Sequence, residues 1–450
     1  MTLLGALAIA LTLCGVALRR PALPAAALGF GAGVPASAGL AVGPATLSVF
    51  VVVAAVVGCT PAPRRGARLQ DPAVSLLVTF VCWALVVTAI GPWTFAGIAV
   101  LTPGKGIDAQ VHAPSALQYS IGNASQVAYL LASVVAARFL WRTGTAPIAL
   151  LVAAWTGSGL SAARGLLRTA GLDRTAWLFD TLPVDYSGVG DARLRGVFAE
   201  PSELAAFSLA IVAFAAVGTA RADDARTRIT SGTLFTVAAG NLLASASGTA
   251  VAAGCIVAVA LGGSFVARFV ASGGRHAGAF TVAFLTIAFA SVASGTQIVD
   301  SIMQIVEEKV GSQSFDSRTA ADELGYRVLV ETRGMGAGLG SDRSSSFLVT
   351  LFATTGVVGV MTFGAATLTL LFRSARTVAA TPVAAALLGL LVAKAVSAPD
   401  LATPLLWVLI ATGIHFAARR GGTGLAGSED DSALIHQKYN MYSAGNGFRA

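Results

Sequence analysis

Charged residues are scarce in this chain: Asp, Glu, Lys and Arg together make up 12% of its 450 residues. Hydrophobic residues make up 55%, and the mean hydropathy is +0.75. A soluble globular domain carries about 25% charged residues, so this composition excludes that class and indicates a helical protein that crosses a membrane many times. The apolar runs are long and unbroken rather than alternating, which argues against a β-barrel.

Motifs for metal binding and nucleophilic catalysis are also missing. The four cysteines lie within or at the edge of apolar segments, no CxxC spacing occurs, and the four histidines form no HExxH pattern. We therefore expect neither a metal nor another cofactor. Most of the net charge of +8 lies in short loops between apolar runs, where it predicts membrane topology rather than nucleic-acid binding.

The apolar runs predict an all-α fold, a polytopic transmembrane helical bundle of about 12–13 spans. The second and third candidates are interrupted by Gly and Pro, and the third is short for a 30 Å hydrocarbon core. A single re-entrant hairpin is the alternative for this pair. The thirteen candidates are residues 2–18, 23–42, 44–59, 73–90, 118–140, 147–163, 202–219, 229–244, 249–267, 278–296, 345–371, 381–397 and 402–418.

The placement of the basic residues predicts the orientation. With thirteen spans, the connections on one side hold sixteen Arg and three acidic residues, whereas the other side holds twelve Lys/Arg and sixteen Asp/Glu. Since basic residues accumulate in cytoplasmic loops, we expect the N-terminus outside and the C-terminus inside. The membrane domain is predicted to cover 1–420, with large external loops at about 164–201 and 297–344. The Gly/Ser-rich tail, 421–450, is predicted to be a disordered cytoplasmic end.

Two polar segments of the external loops hold most of the candidate chemistry. The first polar segment (193–202) and the second polar segment (331–343) each stand just before an apolar span. Guanidinium groups bind phosphate oxygens in bidentate fashion, so Arg193 and Arg195 are candidates to bind a lipid-linked pyrophosphate. The structural alternative is that both side chains reach toward the phosphates of membrane lipids.

Carboxylates in these segments are candidates for acid–base work. Glu200 stands just before a proline at a predicted helix start, where it could cap the helix or act as a general base. Glu331, Arg333 and Arg343 bracket a run of alternating glycines. This run lacks the lysine and Ser/Thr of a P-loop and follows no strand, so it does not predict a nucleotide site.

The order of these features resembles the O-antigen polymerase and O-antigen ligase superfamily of bacterial cell-surface polysaccharide assembly. The resemblance rests on Arg195-Gly-Val-Phe-Ala-Glu-Pro-Ser202 entering a span, the Ser/Gly-rich span mouth at 243–248 and the glycine run at 334–341. It covers roughly residues 110–420. The chain departs from the family pattern in having no proline before the glycine run. The late loop contains no histidine either, which favours a polymerase over a ligase.

The resemblance implies a metal-independent glycosyltransferase of capsule or exopolysaccharide biosynthesis on the outer face of the bacterial cytoplasmic membrane. It would transfer glycan repeat units from an undecaprenyl-pyrophosphate-linked donor, and a flippase and a chain-length regulator would be its partners. Carried over by position, the implied residues are the substrate-binding Arg193, Arg195, Arg333 and Arg343 and the catalytic Glu200 and Glu331.

Two other classes remain open. A flippase or transporter of lipid-linked sugars or small solutes would suit the many spans and the Gly/Pro-broken helices. Against it stand the lack of internal duplication and the near absence of ionisable residues deep in the spans, where coupling ions bind. A dolichyl-type glycosyltransferase usually needs an acidic residue in the first outer loop, and no Asp or Glu precedes Asp71.

Lys394 and Asp400 flank a break between the last two spans, and such a pair near a membrane is often functional.

Overall fold

The computed structural model describes residues 1–42, 45–60, 71–102, 114–183, 193–245, 254, 313–396 and 400–422. Within these ranges the regular secondary structure is helical apart from two short antiparallel strand pairs. Its strands are β1 (Ala38–Val42), β2 (Ala45–Ser48), β3 (Ala99–Val100) and β4 (Ser115–Ala116). Its helices are α1 (Leu3–Ala17), α2 (Ala22–Gly33), α3 (Val49–Gly58), α4 (Pro72–Thr94), α5 (Ile121–Thr143), α6 (Ala146–Thr169), α7 (Ala176–Phe179), α8 (Pro201–Ala220), α9 (Ala225–Ala244), α10 (Gln313–Glu331), α11 (Phe347–Ala375), α12 (Thr381–Val396) and α13 (Pro404–Gly422).

Helices of membrane-spanning length confirm that this is an all-α membrane protein. Six of them, among the described residues, are long and apolar enough to cross a bilayer: α4, α5, α6, α8, α11 and α12 with the short turn before it. Polar caps start them where the apolar runs begin, as at α4, where the Asp71 carboxylate accepts a hydrogen bond from the Ala73 N–H at 2.9 Å. At the same end of the bundle Arg373 of α11 binds Asp71 with nitrogen–oxygen distances of 2.9 and 2.8 Å.

The second and third predicted spans are wrong as separate crossings. Helix α2 has 12 residues and α3 has 10, which makes them about 18 and 15 Å long, well below the thickness of a bilayer core. Between them β1 pairs with β2. The Gly- and Pro-containing stretch after α2 ends the helix and turns the chain, which produces a helix–hairpin–helix unit close to the re-entrant alternative.

The predicted span at 345–371 is interrupted. Gly356 in α11 has φ 66° and ψ −169°, outside the helical region, so α11 consists of a half-helix (347–355) and a longer helix (357–375). The ring centroids of Phe347 and Phe363 lie 5.8 Å apart, whereas sixteen residues of continuous helix would separate them by about 24 Å. The half-helix therefore folds back along the longer helix.

The glycine loop (332–346) leads from α10 to the half-helix and packs against the break in α11. The Gly334 carbonyl accepts a hydrogen bond from the Val357 N–H at 2.9 Å, and the Gly338 N–H donates to the Thr354 carbonyl at 2.9 Å. A Cβ added at Gly336 would lie 2.6 Å from the Gly356 nitrogen. Glycine is needed at these positions because the backbone of the loop touches the backbone of α11. The loop also forms one wall of the cavity described below.

Several predicted segments lie outside the described residues. These are the spans 249–267 and 278–296, the first part of the loop 297–344, and most of the tail 421–450. The described remainder of that loop consists of α10 and most of the glycine loop.

Candidate functional site

An ion network joins the first polar segment to α6 and the loop that follows α6. The Asp180 carboxylate accepts hydrogen bonds from Arg164 at 2.7 and 2.6 Å and from Arg195, at 2.9 Å for Nη1 and Oδ1. Arg164 also donates from Nε to Asp173 at 3.0 Å. The side chains of Arg164, Asp180 and Arg195 are only 7%, 8% and 16% exposed. Two arginines therefore share one carboxylate in a largely desolvated position.

The charges of this network keep its carboxylates ionised. Burial raises the pKa of Asp180, but the hydrogen bonds and charges of Arg164 and Arg195 outweigh burial and bring the pKa below its ordinary value. The pKa of Asp173 is likewise lowered: burial opposes the shift, and hydrogen bonds from Thr175 and Arg164 prevail. Because both pKa values are lowered, the network stabilises the fold above the ordinary aspartate range and loses that contribution on acidification.

The same network determines where the predicted arginines of the first polar segment lie. Arg195 donates to Asp180 and, at 3.1 Å, to the Phe198 carbonyl, so its guanidinium fixes the turn that leads into α8. Arg193 is partly exposed, and its carbonyl accepts a hydrogen bond from Arg168 at 3.0 Å. Pyrophosphate binding by Arg193 and Arg195 stays a prediction, and Arg195 has a structural role beside it.

Glu200 does not cap α8 with its side chain. It occupies the N-cap position, but its carboxylate accepts a hydrogen bond from the Ser202 hydroxyl at 2.8 Å. The neighbouring Glu203 accepts from the Ala199 N–H at 3.2 Å instead, which satisfies one backbone donor of the helix start. Burial raises the pKa of Glu200, and the Ser202 hydrogen bond and the charge of Arg343 oppose it. Electrostatics thus couples Glu200 to the second polar segment.

Arg343 lies near carboxylates from two parts of the chain, the start of α8 and the loop before α13. Its Nη2 is 3.8 Å from Oδ2 of Asp400. The Asp400 carboxylate raises the pKa of Arg343; burial opposes the shift, and Glu200 and Glu203 add to it. Glu200 and Arg343, one residue of each polar segment, are therefore near enough for the charge of each to shift the pKa of the other. We call Arg343, Asp400, Glu200 and Glu203 the charged cluster.

Lys394 is buried next to this cluster and holds the backbone of Asp400 in place. Its ammonium group, 1% exposed inside α12, donates to the Asp400 carbonyl and to the Thr403 hydroxyl, both at 2.7 Å. It also lies 5.0 Å from the ring centroid of Phe347 at the start of the half-helix. A buried lysine that binds the backbone of Asp400 fixes the position from which the Asp400 carboxylate faces Arg343.

A small cavity opens beside Arg343. It lies between α5, the glycine loop and the half-helix, and its volume is about 50 Å³. Apolar walls come from Phe347, Leu351 and Leu401. The polar side chains that line it are Gln126, Asp342, Arg343, Thr350, Thr354 and Asp400.

Glu331 and Arg333, two of the predicted site residues, do not lie at this cavity. Both side chains are exposed at the start of the glycine loop, next to the break in α11. Arg343 is at the other end of that loop, where the half-helix begins, and nine helical residues span about 13 Å. Neither Glu331 nor Arg333 lines the cavity, so the structure separates them from the cluster that contains Glu200 and Arg343.

Asp342 is a buried carboxylate that the sequence did not single out. Oδ1 accepts from the Leu101 N–H at 2.9 Å and Oδ2 from the Ser344 hydroxyl at 3.0 Å. Burial raises the pKa of Asp342 to about 6, and these two hydrogen bonds offset only part of the shift. Between its ordinary pKa and about 6 the folded protein holds the proton more tightly than the unfolded chain does, so stability falls as the pH rises through this window.

Asp342→Asn is therefore expected to stabilise the protein at neutral pH. The amide keeps the acceptor for Leu101 and can donate to Ser344, while the buried charge disappears. A shift of about two pKa units corresponds to a gain on the order of 2–3 kcal/mol at pH 7. Thermal midpoints at pH 7 and pH 4, with exposed Asp223→Asn as the control, test this; an increase that is equal at both pH values would contradict it.

The described residues contain no group of three or more His, Cys, Asp or Glu side chains that could hold a metal ion. The arrangement instead places Arg343 and Asp400 at the cavity, and Glu200, Glu203 and Lys394 lie near this pair but outside the cavity lining. Such a set can bind a polar ligand, accept a proton and stabilise developing negative charge. Comparison with known proteins finds no family model and no curated protein that matches this chain.

Proposed function

We propose that this protein is a polysaccharide polymerase that transfers glycan repeat units from an undecaprenyl-pyrophosphate-linked donor. The observation that carries the proposal is the meeting of Glu200 and Arg343 in one charged cluster, although more than a hundred residues separate them. In a chain with so few charged residues, a guanidinium at a cavity and a largely buried carboxylate whose charge reaches it match the needs of glycosyl transfer. The resemblance in motif order supports the same activity.

The proposed step moves one glycosyl group and one proton. A hydroxyl oxygen of the acceptor glycan bonds to the anomeric carbon of the donor, and the bond from that carbon to the pyrophosphate oxygen breaks. The electron pair leaves with the lipid pyrophosphate, whose charge Arg343 stabilises. The hydroxyl proton passes to Glu200, whose raised pKa makes it a stronger base than an exposed glutamate.

A location and partners belong to the proposed function. The site would face the outside of the bacterial cytoplasmic membrane, as the distribution of arginines predicts. Counting α2 and α3 as one re-entrant unit removes two crossings from the thirteen predicted and leaves the later segments on the same sides. A flippase would deliver the lipid-linked repeat units, and a chain-length regulator would set the length of the polymer.

Deletion of this protein in its native host tests the proposal. We expect long polymer to disappear and single lipid-linked repeat units to accumulate on the outer face of the membrane. Gel profiles of the surface glycan and mass spectrometry of extracted lipid-linked intermediates measure both effects. An unchanged glycan profile would exclude a role in polysaccharide assembly.

A flippase or transporter of lipid-linked sugars is the second candidate, and two features favour it. Helix α11 is broken at Gly356, and Lys394 is buried inside a membrane-length helix. Both features are common where transporters bind substrates and coupling ions. The deletion separates the two candidates, because loss of a flippase would trap the intermediates on the inner face.

A further inference from the structure

Three side chains at the cavity have unused hydrogen-bonding capacity. The separation of 3.8 Å between Arg343 and Asp400 is an ion-pair distance, longer than a hydrogen bond. In the part of the chain that the structure describes, neither the Arg343 guanidinium, nor the Asp400 carboxylate, nor the Gln126 amide makes a side-chain hydrogen bond. All three face the same cavity. The Arg343 and Asp400 side chains are 31% and 46% exposed, so a ligand that enters the cavity can reach their free donors and acceptors.

The other polar residues of the cavity are already engaged. Asp342 accepts hydrogen bonds at both oxygens, and the hydroxyls of Thr350 and Thr354 donate to backbone carbonyls at 3.3 and 2.6 Å. They form the walls, while the open donors and acceptors belong to Gln126, Arg343 and Asp400. A cavity of about 50 Å³ holds roughly three or four water molecules, which matches the edge of a sugar ring with its hydroxyls.

The balance of donors and acceptors identifies the class of ligand. The guanidinium offers N–H donors, the carboxylate offers acceptors, and the amide of Gln126 offers both. Opposite charges on Arg343 and Asp400 make this pair neutral overall. A pyrophosphate carries only acceptors and would be repelled by Asp400, whereas each hydroxyl of a sugar both donates and accepts. Apolar atoms of Phe347, Leu351 and Leu401 in the cavity wall suit the C–H groups of a sugar ring.

We infer that this cavity is a carbohydrate subsite in which Gln126 and Asp400 bind hydroxyl groups of the glycan, with Gln126 as the specificity-determining residue. This inference rests on the proposed function for its substrate and deepens it. The pyrophosphate would lie outside the cavity, on the side of Arg343 that faces the opening.

A binding experiment tests the subsite without any need for catalysis. Neutral oligosaccharides are released by mild acid from the surface polysaccharide of the native host and titrated against the full-length protein in lipid nanodiscs. Inorganic pyrophosphate is titrated separately. The variants are Gln126→Leu and Asp400→Asn, and the matched control is Gln118→Leu, whose side chain is exposed away from the cavity.

We expect the oligosaccharides to bind the wild-type protein and the control equally. Loss of one polar partner should raise the Kd about tenfold in Gln126→Leu and in Asp400→Asn, and Gln126→Leu should leave pyrophosphate binding unchanged. No oligosaccharide binding, or equal Kd values in all variants, would overturn the inference. Weaker pyrophosphate binding in Gln126→Leu would overturn it too, because the diphosphate would then occupy the cavity. If oligosaccharides bind as expected but the deletion strain makes normal polymer, the subsite stands and the polymerase proposal fails.

Discussion

Asp180→Asn is expected to destabilise the protein by about 3 kcal/mol or more, the usual effect of removing one partner from a buried ion pair. The substitution leaves Arg164 and Arg195 close together and removes the carboxylate that they share. Arg164 keeps Asp173, but Arg195 loses its ion pair with Asp180 in a position where its side chain is only 16% exposed. The thermal midpoint of the detergent-solubilised protein measures the loss, and Asp223→Asn, at an exposed position, is the control.

A second substitution shows whether the loss comes from an uncompensated charge. In the Asp180→Asn background, Arg195→Met removes a buried guanidinium that has lost its ion pair with Asp180, and we expect it to restore part of the midpoint. In the wild-type background the same substitution should lower the midpoint, because Asp180 then keeps only Arg164. The network is not the source of the stability if Asp180→Asn melts with the Asp223→Asn control, or if the two substitutions are simply additive.

Arg343→Gln is expected to reduce polymer formation roughly a hundredfold, the usual cost of removing one charge-stabilising donor from an active site. The glutamine retains some hydrogen bonding but lacks the positive charge that the leaving pyrophosphate requires under the proposed mechanism. Polymer output is measured in the deletion strain complemented with each variant, alongside the amount of protein in the membrane. Arg327→Gln, on the exposed surface of α10, serves as the control.

The expected ranking of variants is wild type and Arg327→Gln first, then Arg343→Lys, then Arg343→Gln. Lysine keeps the charge but not the planar set of donors, so it should restore only part of the activity. Wild-type polymer length and amount in Arg343→Gln would show that this cation does not act on the substrate. The prediction depends on the proposed function, whereas the one for Asp180 does not.

Composition and the length of the apolar runs predicted the membrane class and most of the long helices. Each run is long enough to form a helix that faces either lipid or the protein core along its whole length. The same reasoning failed for α2 and α3, where hydrophobicity is high but the segments are too short and Pro and Gly stop them. It also failed at Gly356, since a glycine within an apolar run has no local signal that separates a tolerated residue from a break.

The sequence singled out two polar segments, and the charges of Glu200 and Arg343, one from each segment, affect each other in the structure. Their roles in a site stay a prediction. Glu331 and Arg333 are separated from Arg343 because the half-helix folds back along the longer helix. This fold-back depends on tertiary packing, which the local sequence does not indicate. The pairing of Asp180 with two arginines could not be predicted either, since it joins residues of α6, of the loop after it and of the turn before α8, and no spacing along the chain connects them.

The folded-back half-helix also has a consequence for biogenesis. Residues 357–375 alone form a helix of about 28 Å, close to the thickness of the hydrocarbon core, so the insertion machinery can place this segment as a complete span. The half-helix and the glycine loop can then join the bundle only after α12 has supplied Lys394 and α4 and α5 provide the surfaces against which the loop packs. The end of the bundle that holds the cavity would thus be the last part to mature, and an insertion intermediate with every span in place would still lack the cavity.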